Sequence, residues 1–129
     1  MHSTPMTAAT DILDFLQQRN SSPRLTDPAP TEAEVDTMLR CALRSPDHGW
    51  LRPWRFVSVR GERRRDFGGL LESSLLRSDP QADDAAREKA RNAPLRAPLV
   101  VVVLAAIREH PKVPAWEQRV SAGCAKRLA

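Results

Sequence analysis

Leu99-Val100-Val101-Val102-Val103-Leu104 is an unbroken apolar run, mostly β-branched, with no polar residue to mark a solvent-facing side. A half-exposed strand alternates in character. This run does not, so it reads as a strand covered on both faces, the kind that lies inside a sheet. Such a strand needs a hydrogen-bonded neighbour on each edge, and an isolated two-stranded sheet is marginal in water. One neighbour is legible: Pro53-Trp54-Arg55-Phe56-Val57-Ser58-Val59 alternates large apolar residues with smaller or polar ones, as a half-exposed strand does. No third strand can be read. The chain, residues 1–129, is therefore expected to be one incomplete domain, its remaining strands supplied after Ala129 or by another chain.

Helices account for most of the rest. Ala8 to Gln18 places Ile12, Leu13 and Leu16 on one face, and the Ser-, Asn-, Asp- and Pro-rich residues after it form a loop. Thr31-Glu32-Ala33-Glu34 is a capping box, in which a hydroxyl and a carboxylate satisfy the first helical NH groups reciprocally. Val35, Met38, Leu39, Ala42 and Leu43 give that helix a buried stripe, and Pro46 ends it. Gly61 turns the chain into a helical stretch from Arg63 to Leu76. Pro80 to Asn92 follows, with Ala82, Ala85, Ala86 and Ala90 expected to face inward, and stops at Pro94. After Pro114, the recurrence of Trp116, Val120, Cys124 and Leu128 predicts the inward stripe of a last helix.

A hydrophobic content of 41% with 28% charged residues is that of a soluble globular chain. The net charge of +4 favours anionic partners, which include nucleic acid, a membrane surface and a phosphorylated cofactor. Arg60, Arg63, Arg64 and Arg65 form the one local basic cluster. Cys41 and Cys124 have no metal-ligand spacing and sit among small residues, so they are expected to be buried thiols. The first residues lack a basic segment followed by an apolar one, and the longest apolar run is about half a membrane span, so a cytoplasmic protein is expected.

Two stretches carry candidate chemistry. Arg19-Asn20-Ser21 offers a guanidinium, an amide and a hydroxyl in succession, a donor set suited to a phosphate monoester. The same residues also suit a solvated helix end. Ser45-Pro46-Asp47-His48-Gly49-Trp50-Leu51-Arg52-Pro53-Trp54 joins the capped helix to the first strand, and loops of this kind deliver binding groups from a scaffold. It reads equally as a packed connection with Trp54 as a core anchor. No Ser/His/Asp or Cys/His set can be assembled around His48, and no carboxylates pair.

Taken in order, three stretches resemble the short bacterial nitroreductase-like flavoproteins. They are Arg19-Asn20-Ser21 through Asp27-Pro28-Ala29-Pro30-Thr31, Arg44-Ser45-Pro46-Asp47-His48 through Pro53-Trp54-Arg55-Phe56, and Lys89-Ala90-Arg91-Asn92-Ala93-Pro94 through Ala97-Pro98. Lys112 to Gln118 and Ser121 to Ala125 extend the likeness. Each piece alone is weak, and their conjunction is specific.

The resemblance implies an α+β fold, a mixed sheet flanked by helices, working as a homodimer with FMN at the interface. It assigns Arg19 and Ser21 to the FMN phosphate and ribityl chain, with Asn20 standing where the family has an arginine. Arg44 and His48 match groups that reach FMN from the second subunit. NAD(P)H would be the reductant, and nitro compounds or quinones the acceptors, with the hydride chemistry carried by the flavin. Gly49-Trp50-Leu51-Arg52 departs from the family pattern beside the flavin ring, and the family's further strands are missing. Two other readings compete: a small basic nucleic-acid-binding domain using residues 60–65, which has no accompanying binding motif, and a degenerate fragment without a cofactor.

Overall fold

The computed structural model describes residues 8–128; the first residues, on which the reading of the amino terminus rests, lie outside that range. Five helices and two strands follow in the order α1 (Ala8–Gln18), α2 (Glu32–Ala42), β1 (Trp54–Arg60), α3 (Arg63–Ser78), α4 (Asp84–Asn92), β2 (Leu99–Ala105) and α5 (Ala115–Leu128). Short 3-10 turns at His48–Trp50 and Ala93–Arg96 lead into β1 and β2.

The capping box forms as read. Thr31 N donates to Glu34 Oε2 at 2.7 Å, and Glu34 N donates to Thr31 Oγ1 at 3.3 Å. The backbone NH of Thr31, with its hydroxyl second, holds the Glu34 carboxyl below the usual carboxylate range. At α4, the Asp83 carboxylate accepts from Ala86 N at 2.7 Å, so this helix too starts on a side-chain cap.

β1 and β2 pair antiparallel, in a register that sets Trp54 opposite Ala105, Val57 opposite Val102 and Arg60 opposite Leu99. The helical hairpin α3–α4 makes the connection between them. Among the described residues the sheet has these two strands, the same two that the sequence reading found. β2, read as a strand of the interior kind whose further neighbours are missing, is accordingly covered only in part: its residues are half-buried from Leu99 to Val103 and exposed at Leu104 and Ala105. One pairing partner and α5 do not cover a strand that is apolar on both sides.

The core lies on the face of the sheet that meets α2 and α5. Ala42, Trp54, Ala122 and Ala125 form it, with Phe56 and Val103 packed against it. Alanines at Ala42, Ala122 and Ala125 let the two helices approach closely. This arrangement corrects the expected orientation of α5. Its inward positions are Gln118, Ser121, Ala122 and Ala125, whereas Trp116 (64% exposed) and Val120 point away and Cys124 is half-buried; the Leu128 side chain lies outside the described residues. Ile12, Leu13 and Leu16 of α1 are likewise exposed. On α2, Val35 and Ala42 are buried and Met38 and Leu39 half-buried, but Leu43 and Cys41 face solvent. Cys41 sits one residue, or about 100° around the helix, from the buried Ala42, which removes it from the inward face. In α4, Ala86 and Ala90 are partly covered and Ala85 is exposed, while Ala82, also partly covered, precedes the helix, which starts at Asp84 and not at Pro80.

Gln118 is the largest buried polar group, 1% exposed and fully bonded. Its Nε2 donates to Arg108 O at 2.8 Å and Val113 O at 3.0 Å, and its Oε1 accepts from Arg108 N at 3.1 Å. One side chain thereby closes the loop between β2 and α5. Arginines perform a similar task elsewhere. Arg64 Nη1 donates to Ala97 O at 2.6 Å, Arg60 Nη1 donates to Pro30 O at 2.9 Å, and Arg65 pairs with Glu62 at 2.7 Å. Two of the four arginines in the cluster of residues 60–65 thus join distant parts of this chain.

Candidate functional site

The loop after α1 brings the first candidate group together. Arg19, Asn20 and Ser21 are exposed, and Arg19 Nη1 lies 3.4 Å from Ser21 Oγ, to which it donates. Among the described residues no carboxylate lies within ion-pair distance of Arg19. Two residues later the loop is fastened to the body of the fold. Leu25 N donates to Arg96 O at 2.9 Å, and the Arg96 guanidinium donates back to Pro23 O. The turn that feeds β2 therefore sets where this anion-suited loop stands.

The second group sits at the junction of α2 and β1. Ser45 N donates to Ala42 O at 3.1 Å, extending the end of α2, and the chain then tightens around Asp47. The Asp47 carboxylate accepts from Arg52 N at 2.7 Å, and Trp50 N donates to Asp47 O at 3.4 Å. This closed turn holds Gly49 at φ 75, Trp50 at φ 55 and Arg52 at φ 46. Left-handed backbone is ordinary for glycine and costly for the other two. Arg40, Leu43, Arg44, Ser45, Asp47, Trp50, Arg52 and Trp54 line an open cleft of about 530 Å³. Arg40 is paired within α2 to Asp36 at 2.8 Å, whereas Arg44 and Arg52 have no carboxylate partner among the described residues.

His48 is turned elsewhere. Its Nδ1 is 2.8 Å from Glu117 Oε1 at the start of α5. A carboxylate can only accept, so in this contact the Nδ1 of the ring carries the proton and donates. Trp54 is buried in the core, in keeping with its reading as an anchor.

Within one chain, then, Arg19 meets Ser21, and Arg44 and His48 share a loop. Among the described residues no hydrogen bond joins the two groups. Glu117 was not legible as a partner for His48, because a contact across 69 residues has no local pattern. Asp47 could have been found, since an Asp followed by a Gly-containing turn is the usual setting for a carboxylate that caps its own loop.

Similarity to known proteins runs along most of the chain. The model of the nitroreductase family matches residues 16–127. "Putative NAD(P)H nitroreductase YdjA" of Escherichia coli (strain K12) is 46% identical over 115 residues, which is 89% of this chain and 62% of that protein. "Putative NAD(P)H nitroreductase" of Haemophilus influenzae is 38% identical over 116 residues, again 89% of this chain and 62% of the relative. The chain thus spans less than two thirds of the length of these relatives. The crystal structure of a nitroreductase-like family protein from Bacillus cereus superposes with a TM-score of 0.72 at 22% identity, over 95% of this chain and 64% of that one. That match establishes the α+β fold as nitroreductase-like. With the family pattern running through nearly all of its described residues, the chain belongs to the nitroreductase family.

Proposed function

We propose that this chain is the FMN-holding part of an NAD(P)H-dependent oxidoreductase that works as a homodimer and reduces nitro compounds or quinones. The observation that carries the reading is the donor set at Arg19, Asn20 and Ser21: a cation, an amide and a hydroxyl side by side, exposed, with no paired carboxylate among the described residues. That set fits a phosphate monoester. When bound, FMN supplies the hydride chemistry, taking two electrons from NAD(P)H and passing them to the acceptor.

The protein's share is placement. Arg19 supplies charge-assisted donors to the phosphate, Ser21 a hydroxyl, and Asn20 a neutral donor where a second arginine would add charge. Arg44 and His48 stand apart from that loop in a single chain, which supports their acting on the cofactor of a second subunit. Glu117 holds the His48 ring through Nδ1, which leaves Nε2 free of that contact. No helix among the described residues is long and apolar enough to cross a membrane.

The test is ligand discrimination. Arg19→Ala should weaken FMN binding at least tenfold and leave riboflavin, which lacks the phosphate, nearly unchanged. Equal loss for both ligands removes the phosphate assignment, and a purified chain that never takes up flavin removes the proposed function.

A further inference from the structure

The cleft beside Arg44 has features that flavin binding does not require. Trp50 and Arg52 are the non-glycine residues with positive φ among those described, and both line this cleft. Strain of that kind persists only where the surroundings impose it, and it concentrates at functional sites. The device that imposes it is visible, since the Asp47 carboxylate accepts the Arg52 NH and so closes the turn. The result is an indole left 78% exposed at the cleft and a guanidinium beside it with no carboxylate partner among the described residues. Asp47 is the one acid in the lining, against three arginines, of which only Arg40 is paired. In the floor, the Ser45 hydroxyl is buried without a hydrogen-bond partner. An exposed planar face and an uncompensated planar cation lining one cleft suit an aromatic ring that carries an anionic substituent.

We propose that this cleft selects an aromatic acceptor bearing a carboxylate or sulfonate, with Trp50 stacking on the ring and Arg52 pairing with the anion. Its role as an acceptor site rests on the flavin reading above, because Arg44 shares the cleft and is the group assigned to the cofactor. The selectivity itself depends only on Trp50 and Arg52.

Titration of the chain's tryptophan fluorescence with 4-nitrobenzoate and with the neutral 4-nitrobenzyl alcohol tests it without turnover. The anion should bind at least tenfold more tightly, and the difference should shrink as salt rises. Arg52→Asn suits the left-handed backbone at this position and removes the charge; it should abolish the preference while the neutral ligand binds as before. Arg52→Lys should restore part of it, and Trp50→Ala should weaken both ligands. Equal affinities in the parent chain, or a preference that survives Arg52→Asn, overturn the proposal. FMN uptake, read separately by absorbance, tests the flavin reading: a chain that discriminates between the ligands yet takes up no FMN overturns the acceptor role alone.

Discussion

Gly68 and Gly69, adjacent in α3, should respond in opposite directions to the same substitution. A Cβ at Gly69 meets nothing within 4 Å. Alanine in a helix interior is favoured over glycine by about 0.8–1.0 kcal/mol, so Gly69→Ala should stabilise the chain by roughly that amount. A Cβ at Gly68 would overlap the carbonyl oxygen of Arg91 in α4 and lie 3.0 Å from its carbonyl carbon and 3.4 Å from its Cα. The obstacle is backbone, so no side-chain rotation relieves it. Moving α4 away would strain the ties from Glu72 to Arg87 at 3.1 Å and Arg91 at 3.6 Å. Overpacking costs about 1–3 kcal/mol, and backbone contact puts this case near the upper end. Less the helical gain of about 1 kcal/mol, Gly68→Ala should destabilise by about 2 kcal/mol. The two variants should then differ by about 3 kcal/mol, or about 1–2 M in urea midpoint at an m of about 2 kcal/mol/M. Circular dichroism across a urea series reads this directly. A Gly68→Ala midpoint at or above that of the parent would refute the close approach of α3 and α4. The functional consequence is also measurable, because α4 runs into the turn whose Arg96 fastens residues 23–25. FMN affinity should therefore fall in Gly68→Ala and hold in Gly69→Ala.

Thr31→Ala removes the hydroxyl that caps α2 and should cost about 1 kcal/mol in urea unfolding. Glu34 has its folded pKa held below the ordinary value of 4.5 by its bonds to Thr31, so its contribution to stability is present above that value and is lost as pH falls through the folded one. Glu34→Gln should therefore be less stable than the parent at pH 6, with the gap closing as pH falls below the ordinary carboxylate range; a gap independent of pH would contradict the assignment. Gln118→Leu leaves the carbonyl of the buried Val113, and the part-buried carbonyl and NH of Arg108, without this partner, at about 1–3 kcal/mol for each group that stays dry. Its thermal midpoint should drop by at least about 10 °C, and a drop of a degree or two would mean that water replaces the amide. In Glu117→Ala the His48 ring loses its acceptor, so nitrogen NMR at neutral or higher pH should show the Nδ1-protonated tautomer give way to the Nε2-protonated one. FMN affinity should fall less than in Arg19→Ala.

Local chemistry was readable wherever it determines structure by itself. The start of α2 needed only Thr31 and Glu34, because a capping box is a contact between residues three apart. The extents of α1 and α5 followed from helical patterning and from Pro114, and β2 declared itself through four consecutive valines that disfavour a helix. The phosphate-suited triplet could also be seen, since its three donors are adjacent in the chain.

What the sequence left undecided are quantities that depend on a distant partner. Periodicity shows that α5 has a large apolar face but not that α2 would come close enough to require small residues, so Ala122 and Ala125 turned inward and Trp116 and Val120 outward. The same limit applies to Leu43, Cys41 and the face of α1. Only the folded chain could bring Glu117 to His48 or Arg96 to Pro23, because a hydrogen bond between residues far apart in sequence leaves no spacing to read. The left-handed backbone at Trp50 and Arg52 belongs to tertiary structure as well. Neither residue prefers that conformation, and it is the closure of the turn by Asp47 that holds them there.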